Sequence, residues 1–242
     1  MHACQTRDMT LLRPGVPTAS WVTLALGCAF LGVAFAGASI PPVFVSSSLL
    51  VAATWFSGGV ILHRAMAVGR TPPAIGREGS ALRRRPLALG AGATRGRPGA
   101  ARAYRLAALV ALGTVVFFFA GAWVLSVIPW TAGLVHAAAA SASWTPLWLT
   151  VALATITGWG EETFFRWGLP NAWSRNGQWW ALGIYTLSTV FTGNLALVLA
   201  APMLGVVCQF VLNATGRLGA ACLVHTGFSL GIVGLVPLVF GT

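Results

Sequence analysis

Residues 14 to 62 hold no charged side chain, and no other feature constrains the fold as strongly. A helix needs about 20 apolar residues to cross the hydrocarbon of a bilayer, where backbone polar groups find partners only inside their own segment. Pro41-Pro42 divides the run into spans near 19 to 40 and 43 to 62, which reads as a transmembrane hairpin. Composition agrees, with 57% hydrophobic and 8% charged residues. These values exclude an ordinary soluble domain and leave no part of the chain for a soluble catalytic unit.

Charge orders the remaining segments. Every basic residue among the fifteen is Arg, and ten of them fall between residues 63 and 105 among Gly, Pro and Ala. This stretch reads as a flexible basic loop. An Arg excess in a chain of membrane spans reports topology rather than nucleic-acid binding. A third span is expected from about 106 to 128, then a short interfacial or re-entrant piece at 131 to 145 that carries His136. Further spans follow near 146 to 167, 178 to 193, 195 to 214 and 218 to 240.

The expectation is an all-α polytopic transmembrane bundle of about seven to eight helices. Its segments are a 1–18 cytoplasmic N-terminal stretch, the 19–62 hairpin, the 63–105 loop, a 106–144 helix with its interfacial piece, and a 145–240 core. Alternation places Arg7, Arg13, the Arg loop, Arg166, Arg175 and Arg217 on one side, which the positive-inside rule makes cytoplasmic. Arg7, Arg13, the apolar run and Ala34-Phe35-Ala36 also imitate a cleavable signal peptide. Cleavage would turn the Arg loop outward, so an uncleaved first span is expected. The four cysteines show neither CxxC spacing nor a disulfide framework, and three lie in apolar spans as small hydrophobes.

Ionisable groups inside a membrane are costly and face protein or water, so they are site candidates by default. Here they are Glu161, Glu162 and Arg166, with Asn194 and His225 as polar companions. Glu162 and Arg166 are four apart, the spacing at which helical side chains meet. Glu161 is turned about 100° away on a regular helix, so one carboxylate is left for work as a general base on water. His225 and Ser229 share a face one turn apart and lie far enough along the last span to meet Glu161 across a cavity. Each residue also has a plainer reading: an interfacial salt-bridge cluster, a packing histidine, and a helix cap for Asn194.

EETFFR at 161 to 166 resembles the EExxxR signature of the CAAX prenyl endopeptidase and bacteriocin-processing family, also called the type II CAAX protease or ABI family of intramembrane proteases. HTGFS at 225 to 229 resembles its last motif, HxxxN or HxxxD. The likeness covers roughly residues 145 to 240. It implies Glu161 as the water-activating base, Glu162 and Arg166 as support, and His225 as the oxyanion group or a zinc ligand. Two positions depart from the pattern. Asn194 stands where the FxxxH motif would have His, with Val190 in place of Phe, and Ser229 replaces the final Asn or Asp.

The expected function is an intramembrane endopeptidase that hydrolyses a membrane-associated peptide or protein in a cytoplasm-facing cavity. Glu161 activates water there, while Asn194 and His225 polarise the scissile carbonyl. Zinc is the candidate cofactor, but Glu161 and His225 are its only clear ligands, fewer than the three a hydrolytic zinc normally has. Partners are the lipid bilayer and the substrate, with no nucleic acid. The Arg-only basic complement points to a bacterial plasma membrane. The competing readings are a catalytically degenerate interaction or immunity protein, and a proton-coupled transporter using Glu161 and Glu162 as a relay.

Overall fold

The computed structural model describes residues 16–68, 98–141, 144–172 and 177–240. The N-terminal residues, most of the Arg loop and Arg175 lie outside the described residues, as do the expectations that fall on them. Among the described residues all regular structure is helical, in eight continuous runs. The first four are α1 (Val16–Ala36), α2 (Pro41–Val68), α3 (Ala100–Val127) and α4 (Pro129–Ser141). The fifth joins α5 (Leu147–Glu161), a π-helical segment (Glu162–Gly168) and α6 (Leu169–Ala172). The sixth is α7 (Gly177–Ser188) with a 3₁₀ turn (Thr189–Thr192), and the seventh is α8 (Leu195–Thr215). The last joins α9 (Leu218–Phe228), a second π-helical segment (Ser229–Leu235) and α10 (Val236–Phe240).

Local chemistry sets these boundaries. Proline lacks the backbone N–H that a first helical turn does not use, so Pro41 and Pro129 open α2 and α4 and Pro146 precedes α5. Gly193 and Gly216 turn the chain with φ of 63° and 66°, a region that suits glycine, and Gly216 caps the end of α8. Five helical stretches are long and apolar enough to cross a membrane. Leu109, Leu112, Val116, Phe210 and Leu238 are exposed on them, as a lipid-facing surface requires.

Several helices differ from the charge-based reading. Arg64 belongs to α2, and Arg102 and Arg105 to α3. A long arginine side chain can stay helical at a membrane edge while its head reaches water, so the charge-free run underestimates both helices. Residues 131 to 141 are part of α4, a 13-residue helix about 20 Å long and too short to span. Its Val135 and Ala139 pack on Val236 and Phe240, and His136 Nδ1 lies 3.0 Å from the Phe240 carbonyl oxygen.

Two apolar clusters flank the middle of the bundle. One gathers Leu31, Val51, Trp55, Phe164, Phe165, Leu169 and Tyr185 from α1, α2, the first π segment, α6 and α7. The other gathers Ala107, Leu204, Cys208, Val211, Ala220, Val224 and Phe228 from α3, α8 and α9. Lipid gives helices no hydrophobic reason to associate, so close packing of small residues does more of the work. A Cβ on Gly59 of α2 would overlap the Thr163 backbone, and one on Gly168 would overlap the Gly59 backbone. Contact this close seats the first π segment on α2.

Candidate active site

The acidic pair stands where α5 passes into its π-helical segment. Glu161 is the last α-helical residue and Glu162 opens the wider turn. Such insertions recur at functional positions, because an extra residue per turn redirects side chains. Behind Glu162 the structure is sealed: Phe164 and Phe165 pack at a tilt against Trp55 with ring centroids 5.0 Å away in each case, and all three are buried. Glu162 itself is 0% exposed.

Glu162 Oε2 lies 3.4 Å from Arg166 Nε. The Arg166 guanidinium also covers the Tyr185 ring, 4.1 Å from its centre. Glu162 Oε1 meets His225 Nδ1 at 3.0 Å, so this carboxylate joins the first π segment to α9 as well as holding its own arginine. The opposite ring nitrogen of His225, Nε2, is 3.8 Å from Glu161 Oε2. His225 therefore bridges the two acids, and Tyr185 stands near Glu161 in the same cavity wall.

Glycine makes this arrangement possible. Gly158 lies one turn before the pair, and a Cβ on it would sit 2.5 Å from His225 Cδ2 and 2.7 Å from Nε2. The imidazole packs flat against α5 only because no side chain stands there. Trp159 Nε1 then donates to Thr226 Oγ1 at 2.8 Å and fixes the relative height of α5 and α9.

A cavity of about 190 Å³ adjoins Glu161 and His225, with Asn194, Tyr185 and Ser229 also in its wall. Most of that wall is apolar, including Phe44, Leu153, Leu197 and Phe228. It extends from the carboxylate pair away from the helix ends that bear Arg64, Arg102 and Arg217. A cavity facing the Arg-rich side was expected, but on that side the aromatic packing and the Gly59 contact close the bundle.

Asn194 lines the far part of this cavity and also caps α8, its Oδ1 accepting from Ala196 N at 3.0 Å and Leu197 N at 3.3 Å. The capping oxygen is consumed by backbone, as in any Asn N-cap. Ser229 is buried and opens the second π segment. Tyr185 and Gly158 were not singled out from the sequence. Tyr185 is one of only two tyrosines, the sole signal that marks it, and Gly158 is one glycine among many.

Two groupings could be asked to hold a metal. Glu162, Cys208 and His225 place ligand atoms within 4.8 Å of one another. All three are buried, and the neighbouring Arg166 already supplies the positive charge there. Glu161 and His225 Nε2 face the cavity, but no third carboxylate, His or Cys among the described residues joins them. A hydrolytic zinc wants three ligands and one open position, so neither grouping fits one.

Residues 142–231 match the family model described as type II CAAX prenyl endopeptidase, Rce1-like. The match covers the segment that carries the two motifs. It spans α5 to the start of the second π segment and contains Gly158, Glu161, Glu162, Arg166, Tyr185, Asn194, His225 and Ser229. Searches of curated proteins and of solved structures return no match. The Rce1-like segment thus lies in a helical integral membrane protein whose α1 and α2 complete the cavity wall.

Proposed function

We propose that the protein is an intramembrane endopeptidase in which Glu161 activates a water molecule to hydrolyse a peptide bond. The observation that carries this reading is the 3.8 Å approach of Glu161 Oε2 to His225 Nε2 at the wall of an apolar cavity. Glu162, paired with the always-charged Arg166, can only accept, so Nδ1 of His225 bears the hydrogen in their bond. A neutral ring then offers Nε2 as an acceptor beside the Glu161 carboxylate, and one water fits against both.

Glu161 takes a proton from that water as its oxygen attacks the scissile carbonyl. The tetrahedral oxyanion is met by O–H donors in the wall, Tyr185 and Ser229, with the Asn194 amide nitrogen further along. Glu161 then returns its proton to the departing amine nitrogen as the C–N bond breaks. His225 thereby holds the water and not the oxyanion, because its Nδ1–H is committed to Glu162. No step needs a metal ion.

The second reading, a non-catalytic interaction protein on the same scaffold, is favoured by the use of the Asn194 side-chain oxygen as a helix cap. Purified protein assayed against an apolar peptide library separates the two. Cleavage that is lost in Glu161→Gln and unaffected by a chelator is expected. Equal cleavage by both proteins, or none by either, would sink the protease reading.

A further inference from the structure

The heights at which the helices touch define two ends of the bundle. α1 and α2 are antiparallel, with Gly27 against Trp55 and Gly58 against Thr23. α3 and α9 run in parallel, since Gly219 abuts the Tyr104 hydroxyl, Gly227 abuts Ala111 and Gly231 abuts Val115. α5 runs against α9, with Gly158 beside His225 and Gly234 beside Val151. His63 stacks on Trp167 at 3.8 Å, which brings the end of α2 level with the end of the first π segment. The start of α1, the end of α2, the start of α3 and the α8–α9 junction therefore share one end.

That end receives the chain's positive charge. Arg7 and Arg13 precede α1, the Arg loop joins α2 to α3, Arg175 lies between α6 and α7, and Arg217 joins α8 to α9. Fourteen of the fifteen arginines lie in or beside these segments, Arg166 being buried against Glu162, and Arg asymmetry of this kind places that end in the cytoplasm. The cavity occupies the opposite half. On α5 its wall runs from Thr150 to Glu161 and not beyond; on α9 and α10 it runs from His225 to Pro237 and not before. On α8 it uses Leu197 to Leu204, and on α2 Phe44 to Val51, both the halves remote from arginine. Towards the arginine end, buried Phe164, Phe165, Arg166 and Trp55 close the way.

We propose that the Glu161–His225 site is entered from the extracytoplasmic side of the membrane, and that it takes an apolar peptide segment presented there. The cavity's about 190 Å³ exceeds the roughly 150 Å³ of an engineered cavity that binds benzene. It holds one large apolar side chain next to Glu161. Substrates are thus exported or membrane-inserted peptides with a bulky apolar residue beside the scissile bond. The chemistry after entry rests on the protease reading above; the route does not.

The test uses the full chain in right-side-out and inside-out membrane vesicles, with a small, charged, membrane-impermeant thiosulfonate reagent. Leu197→Cys and Val233→Cys report on the cavity, Arg64→Cys and Arg217→Cys on the opposite end, and the unsubstituted protein gives the background of its own cysteines. The cavity reporters should label severalfold faster in right-side-out vesicles, and the arginine-end reporters severalfold faster in inside-out ones. An excess of a short apolar peptide should slow labelling of the cavity reporters and not of the arginine-end ones. Cavity reporters that label from the cytoplasmic face, or from neither face, overturn the proposal, as do arginine-end reporters that label from outside. Labelling does not depend on turnover, so a failed route and a failed protease reading give different results.

Discussion

Nδ1 of His225 lies 3.0 Å from Oε1 of Glu162, a contact between residues 63 positions apart in the chain. Glu162 also faces Arg166, so it serves both a local helix pair and the tertiary contact that orients the histidine.

Removing that carboxylate leaves Arg166 as a buried charge without its partner. Glu162→Gln is expected to cost roughly 3–5 kcal/mol of stability, the range for breaking a buried ion pair from one side. Adding Arg166→Met should recover most of it. Thermal unfolding in detergent reads both; equal losses in the single and double variants would show that the ion pair is not the cause.

Gly158→Ala adds one methyl where the His225 ring sits, with Cβ 2.7 Å from Nε2. Overpacking of this sort costs about 1–3 kcal/mol. The imidazole must shift away from Glu161, and peptide hydrolysis should fall at least about tenfold, since small misplacements at a reacting centre are expensive. Activity unchanged from the parent protein would mean the histidine is not held as described.

Asn194 has two separable parts. Loss of its side-chain oxygen in Asn194→Ala should cost about 1 kcal/mol through the α8 cap, and Asn194→Asp should keep that stability because Asp caps as well as Asn. A kcat reduced in both variants, with stability reduced only in the first, would assign the amide nitrogen to the reaction. A kcat that follows stability would leave Asn194 as a cap.

The Tyr185 hydroxyl shares the cavity wall with Glu161, while its ring lies under Arg166. Tyr185→Phe preserves the ring and removes the hydroxyl. If it supports the transition state, kcat falls about tenfold to a hundredfold with KM little changed. A change confined to KM would place Tyr185 in substrate binding alone.

The carboxylate pair, its arginine and the membrane bundle were legible because they rest on local rules: apolar length, i to i+4 spacing, and the cost of charge in lipid. The motifs at 161 to 166 and 225 to 229 carried the family likeness, and the family match covers both. Helix ends near arginines were misplaced, since a flexible charged side chain does not mark where backbone hydrogen bonding stops. Tyr185, Gly158 and the two π segments were hidden. Their significance lies in which neighbour each one meets, and no spacing within a helix encodes that.

The sequence by itself determined that this chain crosses a membrane and that Glu161 and Glu162 are the acids set within it. Those are properties of single segments in a given solvent. Only the tertiary structure decided that Glu162 holds His225, that Tyr185 shares a cavity wall with Glu161, and that the cavity lies away from Arg64, Arg102 and Arg217. Each depends on the relative height and rotation of packed helices, which small residues such as Gly59 and Gly158 permit and which only the assembled bundle sets.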